Sequence, residues 1–177
     1  MIDFAQIRTD VLTGLCNYLR QVYADILVIE ANPGAKEPLK PFLIMNFTSP
    51  YIPEGIQAIE ETAMVAHPEP EWDYDVEYTR YSNDTMSCSF SIYGENPDQA
   101  VDIGLLAQRW FKFDGWDYLK SKGIIVVDCM ALQNRDVYII DSWQRRQGFD
   151  VIFRVLSKVK KVVPTTETVD LIQKEGE

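Results

Sequence analysis

The only histidine of the chain, His67, is the first candidate for catalysis because imidazole is the usual general base near neutral pH. It stands between Ala66 and Pro68 in a proline-rich stretch. A catalytic histidine needs a positioned nucleophile and an acid that orients its ring, and no local pattern supplies either. We therefore expect His67 to be a loop residue with no catalytic role.

Three carboxylates, Asp73, Asp75 and Glu77, alternate along one predicted strand and therefore share one face of it. Carboxylates that converge can hold Mg²⁺ or Ca²⁺, but side chains in a straight row about 6–7 Å apart do not converge on one ion. A metal-dependent nuclease would add a lysine on an adjoining strand, and Asp150 with Lys158 is too loose a pair for that. We expect an acidic strip that faces solvent or an interface, and no metal.

The remaining chemistry-bearing residues indicate no cofactor. Three cysteines, Cys16, Cys88 and Cys129, are an odd and widely spaced set without a Cys-x-x-Cys motif. This spacing predicts neither zinc nor a disulfide framework and suits a reducing cytoplasm. The glycines are scattered, so no phosphate-binding loop is predicted.

The segment 143–150 is the densest cluster of side chains suited to protein contacts, since Trp and Arg are favoured at interfaces. Its arginines would complement an acidic strip on a neighbouring copy. An edge strand whose arginines prevent aggregation explains them equally well, and both interpretations stay open. The predicted interface residues are Asp73, Asp75, Glu77, Trp143, Arg145, Arg146, Asp150 and Arg154.

The composition restricts the class of protein. The chain has 177 residues, 46% of them hydrophobic, which is enough for a folded core. Its net charge of −10 disfavours nucleic-acid binding, because such binding depends on neutralising the phosphates. No apolar run approaches the roughly 20 residues that cross a bilayer, and we expect no secretory signal. We expect one domain over residues 1–163 and a polar tail over 164–177.

Periodicity predicts the elements of the first half. Helical spacing of apolar residues predicts an amphipathic helix over residues 3–23, with Asp3 as its N-cap. Strands are predicted at 26–30 and 42–49. The proline-rich segment 50–71 is ambiguous, with residues 57–66 as a short helix or an irregular excursion.

Period-two alternation on both sides of the turn signal Ser82–Asp84 predicts a long antiparallel hairpin over residues 72–92, with its acidic face wet. Asn96 and Pro97 then open a second helix, and a short helical turn from Asp114 ends before Gly123.

The last predicted elements are strands. Residues 124–132 are apolar almost throughout, as in a strand covered on both faces. A final long strand begins near Trp143 and runs to Val155 or beyond. Two main helices on one face of a mostly antiparallel, mixed sheet make an α+β fold.

Four stretches, in this order and spacing, resemble the phage neck terminator family, which is similar to the tail terminators of long-tailed bacteriophages. The stretches are Pro41–Ile44, Ser89–Pro97, Gly123-Ile124 and Arg146–Phe153. The resemblance spans about residues 40–156, and the N-terminal helix fits as well. Segment 50–71 matches nothing in the family pattern.

The resemblance implies an α+β subunit that assembles into a ring, usually of six copies. The ring would lie at the head-proximal end of the tail tube, stop its polymerisation and join it to the head connector. The implied partners are other copies, the tail tube protein and connector proteins, with DNA passing through the bore unbound, in a virion made in the host cytoplasm. No catalytic, cofactor or metal residues carry over from the family. The alternatives are another connector or head-completion subunit, a small acidic protein-binding module and, last, a metal-dependent hydrolase.

Overall fold

The structure is a computed structural model that describes residues 3–32, 34, 36–53, 59–66, 68, 74–139 and 142–164. His67, Trp72 and the tail from residue 165 lie outside these residues. The elements in chain order are α1 (Phe4–Leu19), β1 (Leu27–Glu30), β2 (Phe42–Pro53), β3 (Ile59–Ala66), β4 (Tyr74–Tyr93), α2 (Pro97–Arg109), a π-helical turn (Trp110–Asp114), α3 (Trp116–Ser121), β5 (Ile124–Cys129), β6 (Gln133–Asn134), β7 (Val137–Ile139), β8 (Ser142–Gln144) and β9 (Gln147–Pro164).

One mixed sheet organises the chain, with its strands in the order β1-β2-β4-β9-β5. β1 is parallel to β2, and the other neighbouring pairs are antiparallel. β3 pairs with the outer half of β4, β6 pairs with β9, and β7 and β8 form a separate hairpin. The α+β class with a mostly antiparallel sheet is confirmed.

Alternation along β4 and β9 decides which face of the sheet is buried. Cys88 lies opposite Val151 and Phe90 lies opposite Phe149, so these side chains share the face that α1 and α2 cover. The Phe90 ring lies 4.9 Å from that of Phe111 and 5.3 Å from that of Phe149. Phe149 and Val151 of the final strand therefore lie in the core, and that strand begins at Gln147 rather than near Trp143.

Local capping fixes where the helices begin. The Asp3 carboxylate accepts a hydrogen bond from the Gln6 backbone N–H at 3.0 Å, and Asn96 accepts one from the Gln99 N–H at 2.8 Å. Each bond satisfies one of the donors that a helix N-terminus leaves unpaired. Both predicted N-caps are confirmed.

The first helix ends four residues earlier than predicted. After Leu19 the chain turns, with the backbone N–H groups of Val22 and Tyr23 donating to the Leu19 carbonyl at 3.1 and 2.9 Å. This turn brings Ile26, which is fully buried, under the sheet. Burial of Ile26 outweighs the helical spacing that extends to Val22.

The predicted hairpin over residues 72–92 is wrong, because residues 74–93 are one continuous strand. Ser82, Asn83 and Asp84 stay extended and pair with Ser157, Leu156 and Val155 of β9. Eighteen residues of β9 offer an uninterrupted ladder, which outweighs the local turn preference of Asn and Asp. The antiparallel partner that precedes β4 is instead β3.

Two further predictions need correction. Residues 59–66 form strand β3 rather than a helix, because they pair with residues 74–81 of β4. Strand β5 is covered on one face only, because the helices pack against one face of the sheet: Ile124 is buried, whereas Ile125 and Val127 are 54% and 45% exposed.

Replacing Phe90 by Ala should lower the free energy of unfolding by about 3–5 kcal/mol, because it opens a cavity among three packed rings. Phe113→Ala is the matched control, since that ring is 74% exposed, and should change stability by no more than about 0.5 kcal/mol. Urea unfolding followed by circular dichroism measures both. Equal losses in the two variants would contradict the assigned core.

Candidate interaction surfaces

The described residues contain no group of three or more His, Cys, Asp or Glu side chains placed to hold a metal ion. Burial raises the pKa of the Cys88 thiol well above its usual range, and burial raises the pKa of Cys129 to about 11. Both are therefore protonated, weakly nucleophilic thiols at neutral pH. Within the same residues, no helix has the length and apolar character to cross a membrane.

One face of the sheet is not covered by the helices, and we call it the open face. It carries a small structure that we call the aromatic hairpin, formed by β7, β8 and the flanking residues 134–136 and 145–146. The Tyr138 and Trp143 rings meet edge to face at 5.4 Å, and the Arg145 guanidinium lies 5.6 Å from the Trp143 ring centre. Both rings are more than half exposed. A rigid Trp, Tyr and Arg cluster of this kind is typical of the few residues that carry most of the energy of a protein interface.

Asp136 holds the base of the aromatic hairpin together. Its carboxylate accepts hydrogen bonds from Arg145 Nη1 at 2.9 Å and from the Arg146 backbone N–H at 2.7 Å. Its own N–H donates to Asn134 Oδ1 at 2.8 Å. Burial acts to raise the pKa of Asp136, but the hydrogen bonds from Arg145 and Arg146 outweigh it and hold the pKa below the ordinary value. The carboxylate is therefore charged at neutral pH and fixes both arginines.

Arg135 attaches the aromatic hairpin to the sheet. Its guanidinium donates to Ser89 Oγ at 2.8 Å and to Asp150 Oδ2 at 3.0 Å, so it spans β4 and β9. Arg146 Nε donates to the Arg135 carbonyl at 2.6 Å. Gly148 makes room for this crossing, because a Cβ there would lie 2.7 Å from Arg135 Cδ.

A second surface, which we call the sheet arm, consists of β3, residues 74–83 of β4 and residues 156–164 of β9. Beyond its pairing with β4, β3 has almost every residue exposed. Large apolar side chains are exposed on both faces of the arm. These are Ile59, Met64, Tyr74, Tyr78, Leu156, Val159 and Val162.

The expectation of a wet acidic face on β4 is wrong for the part of it that the structure describes. Asp75 is only 5% exposed, whereas Tyr78 on the opposite face is 45% exposed. Glu77 on the same face is half-buried and paired, because Lys160 Nζ of the neighbouring strand donates to Glu77 Oε1 at 2.7 Å. That hydrogen bond lowers the pKa of Glu77 and raises the pKa of Lys160.

A third surface, which we call the α3 groove, runs between α3 and the edge strand β5. Its volume is about 290 Å³. Its lining is mainly apolar and includes Trp116, Leu119 and Ile125, with Lys120 at the rim. Trp116 is 60% exposed. The preceding residue, Gly115, is required because a Cβ there would lie 2.4 Å from the buried Trp110 indole.

The structure brings four of the predicted interface residues together and separates the others from them. Trp143 and Arg145 lie exposed in the aromatic hairpin, while Arg146 and Asp150 bond within the chain beneath it. Asp75 and Glu77 lie in the sheet arm, and Arg154 lies half-buried on β9 opposite Thr85. Asp73 lies outside the described residues.

Sequence reasoning missed Arg135, Asp136 and Tyr138. The available signal was the Asn-x-Asp pattern at 134–136, because Asn and Asp side chains accept hydrogen bonds from nearby backbone and favour turns. The following alternation of Val137, Tyr138 and Ile139 is too short to stand out from a loop.

A family model described as phage neck terminator protein matches residues 7–177. A search of curated proteins finds none that matches the chain.

Asp136→Asn should destabilise the folded chain at pH 7, because a neutral amide cannot hold the two arginines as the carboxylate does. A lowered pKa in the folded state means that the carboxylate contributes stability above its unfolded pKa, and that this contribution is lost as the pH falls through the folded value. The gap between the urea midpoints of the wild type and the variant should therefore narrow from pH 7 to pH 3. Asp102→Asn, at an exposed site on α2, is the control and should show no gap. A gap that is equally wide at pH 3 would refute the role assigned to Asp136.

Proposed function

Because the chain belongs to the phage neck terminator family, we propose that its copies form a ring at the head-proximal end of the tail tube, where it stops tube polymerisation and joins the tail to the head connector. The resemblance inferred from short motifs is confirmed, and the match covers residues 7–177. The protein is thus a structural component of the phage neck. The family match carries the proposal, and the exposed surfaces described above support it.

A ring requires two different surfaces on each subunit, because head-to-tail contacts close only when one face meets another. The sheet arm and the α3 groove are two such surfaces, with apolar side chains exposed on each. Exposed apolar patches are unusual on proteins that act alone and typically mark contacts with other proteins. Six copies is the number that the family resemblance implies.

The aromatic hairpin supports a contact with the tail tube or the connector. Trp143 and Arg145 offer contact area and hydrogen-bond donors at low entropic cost, because Asp136 and the Tyr138 ring already hold them in place. In this proposal Arg146 and Asp150 position the hairpin. Asp75, Glu77 and Arg154 belong to surfaces that face neighbouring copies.

The charge of the chain supports a passive route for DNA. A net charge of −10 on each subunit would make a bore that repels phosphates rather than binding them. DNA would then pass through the ring without specific contacts, and the subunit would transform no substrate. We also propose that residues 1–163 act as one domain, with 164–177 as an appended tail.

Ring formation is tested by mixing the purified chain with the tail tube protein of its phage and imaging the products by negative stain. Tubes should carry a ring at one end and stop growing when the chain is added during polymerisation. Tubes that continue to lengthen, with the chain unattached, would contradict the proposal.

The double variant Trp143→Ala/Arg145→Glu should block the joining of tails to heads in a phage whose own copy of the gene is deleted and supplied from a plasmid. We expect at least a tenfold loss of infectious particles, with free heads and free tails visible by electron microscopy, because an interface anchor is removed and the neighbouring charge is reversed. Leu105→Ala, at an exposed site on α2, is the control and should restore normal yield. Normal yield from the double variant would exclude the aromatic hairpin from the joint.

A further inference from the structure

The sheet arm lacks the cover that the rest of the sheet has. Its ten residues of β4 span about 33 Å at the usual rise per residue. The two main helices pack on the inner half of the sheet, over residues such as Phe90 and Val151, and apolar side chains of the arm are exposed on both faces. A sheet normally buries at least one face against another layer, and a few uncovered strands have little stability of their own.

The α3 groove lies at the opposite edge of the same sheet. β3 is attached to β4 on the side where β2 lies, whereas β5 is attached to β9 on the other side. Two strands therefore separate the arm's outer strand from the strand that lines the groove. In a head-to-tail assembly, surfaces at opposite edges of one subunit meet each other on neighbouring subunits.

We infer that the β3 edge of the sheet arm of one copy docks into the α3 groove of the next copy. This inference rests on the proposed ring, because the ring supplies the second copy that occupies the groove. It also identifies the surfaces through which the copies would meet. Met64 supplies an apolar side chain from the arm, and Trp116 and Ile125 receive it in the groove.

Charge at the two surfaces favours the same contact. Glu60 and Glu61 of β3 are exposed, and neither lies within ion-pair distance of a cation in the described part of the chain. The groove is lined by one cation, Lys120, and one carboxylate, Asp117; both are exposed, and neither forms an ion pair with another of those same residues. Docking would set Lys120 against the glutamates of β3 and keep Asp117 away from them, and this requirement favours one register over the others.

The area that the arm offers can be compared with the area that a stable interface buries. The proposed contact uses the edge strand β3, whose eight residues span about 26 Å and, at a strand spacing of about 4.8 Å, offer about 130 Å² on each face. A stable interface of standard size buries about 800 Å² on each partner. The β3 edge thus supplies a part of the required area, and the rest of the arm and the adjoining surface of the domain must supply the remainder.

Cysteine crosslinking tests the contact directly. The double variant Thr62→Cys/Lys120→Cys places one thiol on β3 and one at the groove, both at exposed positions. The native cysteines compete poorly, because Cys16 and Cys88 are buried and burial raises the pKa of Cys129 to about 11. With a short bis-maleimide and the tail tube protein present, we expect a ladder of covalent multimers, which only contacts between copies can produce.

Three controls set the background. Each single variant should remain a monomer on a denaturing gel, because the contact joins two different positions. Thr62→Cys/Glu95→Cys, with its second thiol exposed outside the groove, should give at least tenfold less multimer. Circular dichroism checks that every variant is folded.

The outcomes separate this contact from the ring. Rings seen by negative stain without a ladder would overturn the contact and leave the ring standing. A ladder from open chains that never close would support the contact and refute the ring. Neither ladder nor ring would overturn both.

Discussion

The antiparallel pairing of β4 with β9 is the interaction on which the rest of the structure depends. It runs without a break from Asp75 opposite Pro164 to Ile92 opposite Gln147. Its inner half carries the buried Phe90 and Phe149, and its outer half carries the exposed sheet arm. Because one ladder joins the two, a folded core holds the arm at a fixed position for contact with another subunit, and movement of the arm costs hydrogen bonds in the ladder.

The same pairing also produces the open face on which the aromatic hairpin lies. Alternation places Ser89 and Asp150 opposite each other on that face, where Arg135 bonds to both. The hairpin is therefore joined to the two strands that carry the core, rather than to a loop. A Trp and Arg pair held in this way loses little conformational entropy on binding, as expected for a protein that works by contact with its neighbours.

Much of the fold follows from local signals in the sequence. The predictions that were wrong lie where pairing between distant strands outweighs those local signals. The Asn96 cap with Pro97 depends on neighbouring residues alone, and it was predicted correctly. The continuous strand β4 was missed because Ser82–Asp84 has the composition of a turn. The residue numbers nevertheless carried a signal. Tyr78 before the supposed turn and Met86 after it are both even-numbered, so the alternation of side chains continues in phase across it, as in one continuous strand. The surfaces were harder to predict, since the burial of Asp75 and the exposure of Ile125 depend on which strands lie beside them.

A cryo-electron microscopy map of the neck of the intact phage tests the central claim most directly, because it views the chain among its natural neighbours. The account predicts a closed ring of this chain at the head-proximal end of the tail tube, with the arm of each copy against α3 and β5 of the next. A neck without such a ring, or a ring at that position built entirely from another protein, would contradict it.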